Sequence, residues 1–473
     1  MKKRILSLVL AAALVIGTLA GCGGKQAAPA ETEKAPAAET KEDAAPAQEE
    51  ASSGEEGTTA RPGYQLFHGH DLSNVTIEFW NYITGDDNPT LVKWIDKYNA
   101  ENPYGITIHN DSMDGTVLME KLPVALSSGT GPQLTLCGLD VAAYADQGLI
   151  LELSDVFEYT DLKRDDFIDG LLDITSYEGG LYGMPFYIGV TFMFWNKDLY
   201  RQAGLDPEVG PRTWDELYEN AKKINALGSD YYGLNFSYGL TYSVYDVMAG
   251  YGGHIITLDE NTGLYKNELI SDPNIDALTF WQNFYKEGLN PLDAKDELFY
   301  AGIIGTTIAG PWVGGTAKED YGIDVGFGLA PGADAGTFYY CASMNMNITN
   351  IATEDEILAC YDFMSYWNSL EPCVDFSIAN HTPAYLKEAI ADPRIQNNAE
   401  LAAMSDFEGR EAWNWVPTGF NRGNEVNEQL GSMLEAIAMG EDVTTALTKC
   451  SGYVDEIIEK ANQERIESGK AKQ

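Results

Sequence analysis

Basic and sulfur-bearing side chains are scarce in this sequence. Lys and Arg number 30 and His 5, against 72 Asp and Glu, so the 473 residues carry a formal charge of −42. A surface of that sign repels nucleic acid and anionic lipid headgroups, which excludes both as partners and weighs against a strongly anionic ligand. Cysteine occurs six times, at Cys22, Cys137, Cys341, Cys360, Cys373 and Cys450, and never as CxxC. With histidine so rare, no zinc-type ligand set is in view, and neither a metal nor a cofactor is expected. After the first 20 residues there is no second long apolar run, so no other segment is expected to span a membrane. The marks of covalent catalysis are missing too. There is no GxSxG, no His-based triad pattern, and no pair of carboxylates nominated by position. No catalytic residue is proposed from the sequence, and no enzyme is expected.

What is present begins with Met1-Lys2-Lys3-Arg4 and an apolar stretch from Ile5 to Ala20. A basic patch followed by a modest apolar run reads as a secretory leader over residues 1–21. The run is shorter than the about 20 residues that a membrane-spanning helix needs. It ends Leu19-Ala20-Gly21-Cys22, which resembles the bacterial lipobox. The resemblance implies cleavage before Cys22 and a diacyl lipid on its thiol. From Gly23 to about Ala60 the chain has no aromatic residue and no Val, Ile or Leu. Such a segment cannot bury enough apolar surface to offset its ordering entropy. Residues 22–60 are therefore expected to be a lipidated cysteine with an extended, proline-stiffened leash. With lipid on Cys22, five thiols remain, and a Cys360–Cys373 disulfide is one open pairing.

Roughly 410 residues follow, enough for two lobes with sizeable cores. They carry 24 basic and 63 acidic residues, a balance of −39. Strand and helix signals alternate. Val75–Trp80 is β-branched and aromatic, Leu91–Asn99 has helical apolar spacing, and Gly105–His109 reads as a strand. Val117–Leu126 is again helical, and Leu134–Cys137 is a third strand. This βαβαβ pattern predicts largely parallel sheets covered by helices. Ligands of such sheets bind at the carboxyl ends of the strands, which singles out Trp80, Asn81, Asp111 and Asp140. Helical patterns recur over Trp214–Leu227, Ile275–Lys286, Glu354–Trp367, Asn424–Ala438 and Val443–Ala461. Thr213 and Glu216 form a capping-box pattern at the start of the first of these. Trp94, Trp195, Trp214 and Trp281 fall inside element patterns and read as core.

Four stretches together are similar to the signature of family 1 extracellular solute-binding proteins, which include the maltose-binding protein and sugar-binding lipoproteins of ABC importers. They are Gly180-Leu181-Tyr182-Gly183-Met184-Pro185, Phe194-Trp195-Asn196-Lys197-Asp198-Leu199, Ala203-Gly204-Leu205-Asp206 and Pro211-Arg212-Thr213-Trp214-Asp215-Glu216-Leu217. Ser127–Gln133, Ala309-Gly310-Pro311-Trp312 and Phe327–Gly332 resemble further segments of the same family. The resemblance implies a type II periplasmic-binding-protein fold of class α/β, with two lobes on mostly parallel sheets and a hinge of crossing strands. By analogy the chain crosses near Gly189–Thr191, near Gly326–Pro331 and near Thr382. One lobe would be 61–188 plus 331–381, and the other 189–330 plus 382–473.

The resemblance also implies a receptor that captures a mono- or oligosaccharide between its lobes and passes it to the transmembrane subunits of an ABC permease. It would act as a monomer held by lipid alone on the outer face of a cytoplasmic membrane, in a Gram-positive type of envelope. A sugar receptor needs carboxylates or amides for ring hydroxyls and flat aromatics for ring faces. The resemblance assigns Asp140 as a sugar-binding carboxylate, Trp312 as a stacking indole, and Tyr242 or Tyr245 as a stacking tyrosine. Tyr187 precedes the first crossing. Trp415 and Asn421 lie in a loop that usually adds another wall, with Trp413, Phe420 and Arg422 as neighbours. Cys137 stands where the compared relative has an aromatic, which argues against direct transfer of maltose specificity. Two alternatives stay open: the same fold holding a polyamine or glycerol phosphate, and a glycoside-acting enzyme.

Overall fold

The structure is a computed structural model that describes residues 61–85, 88–136, 141–236, 241–331, 338–407, 411–413 and 415–471. The expectations for Cys22, the leash and Asp140 lie outside the described residues, as does the side chain of Tyr242. Among the described residues no helix is long and apolar enough to cross a membrane.

The first strand, β1 (Thr76–Asn81), lies between β2 (Thr107–Ser112) and β3 (Leu134–Leu136), with both pairings parallel. Side chains alternate on β1, so Ile77, Phe79 and Asn81 point to the buried face. Helix Asn88–Glu101 covers this sheet with Leu91, Trp94, Ile95 and Tyr98, an i, i+3, i+4, i+7 stripe. Helix Gly115–Ser127 is opened by Asp114, whose carboxylate accepts from the backbone N–H groups of Thr116 and Val117. Asp114 therefore serves as a cap at this bend.

A hairpin of β4 (Ser176–Tyr177) and β5 (Gly180–Leu181) turns through Glu178 and Gly179, both at positive φ (52° and 85°). That pairing is the signature of a type I′ turn. Strand β6 (Met184–Val190) then runs antiparallel to β13 (Phe338–Ile348), which also pairs with β3 and with β14 (Glu411–Trp413). These six strands form the first sheet.

Beyond Val190 the chain leaves that sheet through Thr191 and enters a second one as β7 (Phe192–Asn196), every residue of which is buried. The second sheet has the order β12 (Val325–Gly328), β7, β11 (Ile304–Ala309), β8 (Tyr232–Asn235). Only β11 and β8 are parallel in it. A separate hairpin joins β9 (Ile256–Asp259) and β10 (Leu264–Asn267). Both sheets are thus mixed. The parallel part of the first sheet is the βαβαβ unit, whereas β6, β7, β12 and β13 are antiparallel because they carry the chain between the sheets rather than through a helical crossover.

Three apolar clusters hold these layers. In the first, Phe186 stacks on Trp367 at 4.3 Å with planes 5° apart, and the indole N–H of Trp367 donates to the Phe186 carbonyl at 2.8 Å. In the second, helices Trp214–Asn225, Asp272–Lys286, Gly423–Ala438 and Val443–Glu467 surround the four-stranded sheet. Trp195 is pinned there by a 2.9 Å bond from its indole N–H to the Pro207 carbonyl. A Cβ on Gly326 would lie 2.0 Å from its ring, which explains the glycine. The third cluster, around Leu118, Leu122 and Tyr144, sits under Trp80 and Tyr182.

Trp94, Trp195, Trp214 and Trp281 are all buried, as their patterns predict. The Thr213 cap forms only one half of the expected box. Its hydroxyl accepts from the Glu216 N–H, while the Glu216 carboxylate accepts from the Arg212 N–H one residue earlier. The reciprocal box occurs instead at Thr353 and Glu356, at the head of helix Glu354–Trp367. Cys360 and Cys373 are free and buried on successive helices, which removes the disulfide considered for them. Burial pushes the Cys373 thiol up to about 11 and also raises Cys360, so neither is a ready nucleophile.

Candidate functional site

At the carboxyl ends of the parallel strands, Trp80 and Asp111 are direct partners across β1 and β2. Both are half-buried, and Lys121 sits 4.6 Å from the centre of the Trp80 ring. Their neighbour Asn81 is on the opposite face and 0% exposed. Its amide donates to the Asn110 side chain at 2.7 Å and to the Phe79 carbonyl at 3.4 Å. Its carbonyl accepts from the Ile83 N–H at 3.0 Å and from the Ser112 hydroxyl at 2.9 Å. All its hydrogen-bonding capacity is used in shaping the strand end, so it functions as scaffold and presents nothing to a solute in this conformation.

The next group surrounds the passage between sheets. Tyr187 on β6 faces Met344 in register and tilts against Phe376 at 5.8 Å. Tyr82, from the segment after β1, donates its hydroxyl to the Met344 sulfur at 2.7 Å. Thr191 donates to the buried Asp246 carboxylate at 2.6 Å, fastening the passage to helix Thr241–Gly250. On the same helix, Tyr245 donates to Asn427 at 2.8 Å and stacks on Trp415 at 5.5 Å with planes 17° apart. Both rings are buried, with Trp415 8% exposed, so the pair forms a closed stack inside the second cluster. Phe420 is likewise buried, edge-on to Tyr265, and Arg422 is paired with Glu425 and Glu464.

Trp312 differs from those aromatics in keeping 40% of its surface exposed. It opens helix Trp312–Glu319 directly after β11, at the end of that strand where it runs parallel to β8.

Asn421 is brought to a cavity of about 390 Å³ at the seam between the two halves. From the side of the six-stranded sheet come Asp146, Tyr177 and Glu178; from the other side come Tyr265, Asn421 and Arg465. The Asn421 amide donates to Asp146 at 2.9 Å, a carboxylate that also accepts from the Tyr177 hydroxyl. Glu178 takes Arg465 at 3.5 Å and Lys470 at 3.1 Å. Lys470 lies 5.3 Å from the Tyr177 ring centre, and Arg465 lies 4.9 Å from that of Tyr265. Burial, then the bond to Asp146, hold the Tyr177 phenol well above its ordinary range, so it stays a neutral donor. Burial likewise raises Tyr265. The cavity thus presents ring faces, carboxylates and an amide, groups that suit a hydroxyl-rich solute.

Of the residues nominated from sequence, the structure gathers Trp80 with Asp111, Tyr245 with Trp415, and Asn421 with the seam cavity. Trp312 stands apart from all three groups. Sequence reasoning missed Tyr177, Glu178, Tyr265 and Arg465. The one local signal was Glu178-Gly179-Gly180, a turn between Tyr177 and Leu181. The Asp146–Asn421 bond joins positions 275 residues apart and had no local signal.

Three comparisons bear on this arrangement. A galactooligosaccharide-binding protein of Bacillus subtilis (strain 168) is 26% identical over 357 residues, 72% of this chain and 78% of that one. An ABC transporter solute-binding protein from Thermotoga lettingae, solved with α-D-tagatose, superposes with a TM-score of 0.70 at 19% identity, over 81% of this chain and 100% of the other. UgpB from Mycobacterium tuberculosis, solved with glycerophosphocholine, gives a TM-score of 0.72 at 19% identity, over 81% and 98%. At such identities the two structures establish a shared α/β fold. The family model for bacterial extracellular solute-binding proteins matches residues 93–403, a span that takes in both sheets and the passages between them. The chain belongs to the bacterial extracellular solute-binding protein family.

Proposed function

We propose that this protein is the lipid-anchored capture component of an ABC importer, taking a mono- or oligosaccharide between two lobes and delivering it to permease subunits. The observation that carries the reading is the seam cavity, where tyrosine rings, carboxylates and the Asn421 amide converge from both halves. That is the chemistry a sugar asks for: acceptors for its hydroxyls and flat apolar faces for its C–H patches. The match to a galactooligosaccharide-binding protein over 72% of this chain supports the same class of ligand. Passage of the chain between sheets at Thr191, and again between β12 and β13, supports lobes of 61–188 plus 331–381 and 189–330 plus 382–473. Lipid on Cys22 and the leash to Ala60 would keep the receptor beside its permease on the outer face of the membrane.

The likeness to a structure holding glycerophosphocholine favours a second reading, a glycerophospho-ligand. Phosphate calls for a free Arg or Lys. At the cavity both Arg465 and Lys470 are engaged by Glu178, beside Asp146 and Glu464, so the local charge disfavours it. Calorimetric titration of the chain with galacto- and malto-oligosaccharides, glycerophosphocholine and spermidine decides between these. Saccharide binding is the expected result. Binding of glycerophosphocholine or spermidine with none of any saccharide overturns the proposal.

A further inference from the structure

We infer that Asp296 is a positioning residue for the Trp312 indole and so helps set ligand affinity; this rests on the proposed sugar-binding role of the cleft. A ring that is 40% exposed is not held by burial. Two other contacts hold it. The first is a floor. A Cβ at Gly310 would lie 1.9 Å from Cζ3 and 2.1 Å from Cη2 of Trp312, so the ring rests on bare backbone and only glycine permits it. The second is a carboxylate. Asp296, the first residue of helix Asp296–Tyr300, accepts a hydrogen bond from the Trp312 side chain, whose one donor is the indole N–H.

The short helix that carries Asp296 is itself fixed. At its far end Tyr300 shares a hydrogen bond with Thr316, one turn along the helix that Trp312 opens. Tyr300 also stacks on Tyr321 at 5.0 Å with planes 12° apart. Asp296 and Tyr300 therefore grip the Trp312 helix at two points. The rotation of an indole about χ2 is intrinsically broad. With its N–H tied to a half-buried carboxylate and its face on Gly310, one orientation is selected before any ligand arrives. A stacking wall organised in advance spares the ligand the ordering cost of that side chain.

The test uses the full chain and two variants, Asp296→Ala and Asp296→Asn. The first reading needs no ligand. In a ¹H–¹⁵N spectrum the Trp312 indole N–H resonance is identified by its loss in Trp312→Phe. It should shift upfield and exchange faster with solvent in Asp296→Ala. In Asp296→Asn, which keeps an acceptor oxygen in the same place, it should stay near its original position. The second reading is calorimetric titration with a galactooligosaccharide and with maltotetraose. Asp296→Ala should raise Kd about two- to tenfold, the equivalent of ordering one side chain, and Asp296→Asn should largely restore it. An unmoved indole resonance overturns the inference whatever the titrations give. A shifted resonance with unchanged Kd overturns the link to affinity. A shifted resonance in a protein whose wild type binds neither saccharide supports the positioning role and counts against the sugar reading instead. If Asp296→Ala fails to fold, an indole exchange rate in Asp296→Asn equal to that of a free surface indole overturns the inference on its own.

Discussion

Replacing Asn81 by alanine separates scaffold from ligand contact at the end of β1. The side chain makes four hydrogen bonds at 0% exposure. Its loss strands the Ile83 N–H, which is buried and has no route to water, at about 1–3 kcal/mol. Asn110 and Ser112 lose a partner each, but they are half-buried and already 3.3 Å apart, so they can turn to each other or to solvent. Their losses should be about 0.5 kcal/mol apiece. The sum is roughly 2–4 kcal/mol of stability. In urea unfolding, with an m of about 3 kcal/mol/M, the midpoint should fall by about 1 M at unchanged m. Affinity for whichever saccharide the wild type binds should change less than threefold, because the amide has no group left to offer it. A stability change under about 0.5 kcal/mol together with a large loss of affinity would refute this and return Asn81 to the ligand-binding set.

Trp312→Ala should weaken saccharide binding by about 1–3 kcal/mol, the range of one aromatic contact, with little change in the urea midpoint; equal affinity would make the ring a surface feature. Asp362→Asn should stabilise the protein near neutral pH. Burial holds the Asp362 carboxyl above its ordinary value, and the Tyr98 bond only partly offsets this. The folded state therefore binds its proton more tightly than the unfolded state does, and the wild type loses stability as pH rises through the raised value. The gain from asparagine should fade below the ordinary carboxyl range, where the wild type is protonated in both states; a gain that persists there sinks the argument. Glu178→Gln removes both partners of Arg465 and Lys470 across the seam. It should cost about 0.5–2 kcal/mol of seam interaction, seen as a larger radius of gyration without ligand and a flatter salt dependence of binding. Identical scattering at low and high salt for wild type and variant would remove the bridge from the account.

Much of the local structure was legible because its causes are local. Helix Glu354–Trp367 has the bounds read from its pattern, fixed by the Thr353–Glu356 box and by its buried stripe. The burial of Asn81 was legible too, but its strand-end position outweighed the alternation. Period 2 along Thr76–Asn81 puts Asn81 with Ile77 and Phe79, and Trp80 on the other side. A polar residue on that inner face is a bracket for neighbouring backbone before it is a receptor for solute. The mixed sheets were not legible, because strand direction depends on connections that leave one sheet for another. Nor was the seam. Asp146 with Asn421, and Glu178 with Arg465, are pairs set by tertiary structure alone.

That seam differs in kind from the cores on either side of it. Within the halves, contacts are stacks and apolar stripes, each large side chain contributing about 1.5–3 kcal/mol on burial. Across the rim of the cavity they are an amide on a carboxylate and two cations on Glu178, each contributing on the order of 0.2–1 kcal/mol. Thr191 bonded to Asp246 beside the passage is the buried exception, placed where the chain must stay joined in any arrangement. A rim this weak can part without unfolding what lies behind it. Under the proposed function, a solute that meets groups from both sides needs to favour the joined arrangement by only a few kcal/mol to shift the population decisively. Acidic residues dominate that rim, and its cations are already spoken for by Glu178. A neutral, hydroxylated solute can therefore enter without displacing the bridges, whereas an anion would have to compete with Glu178 for Arg465 and Lys470.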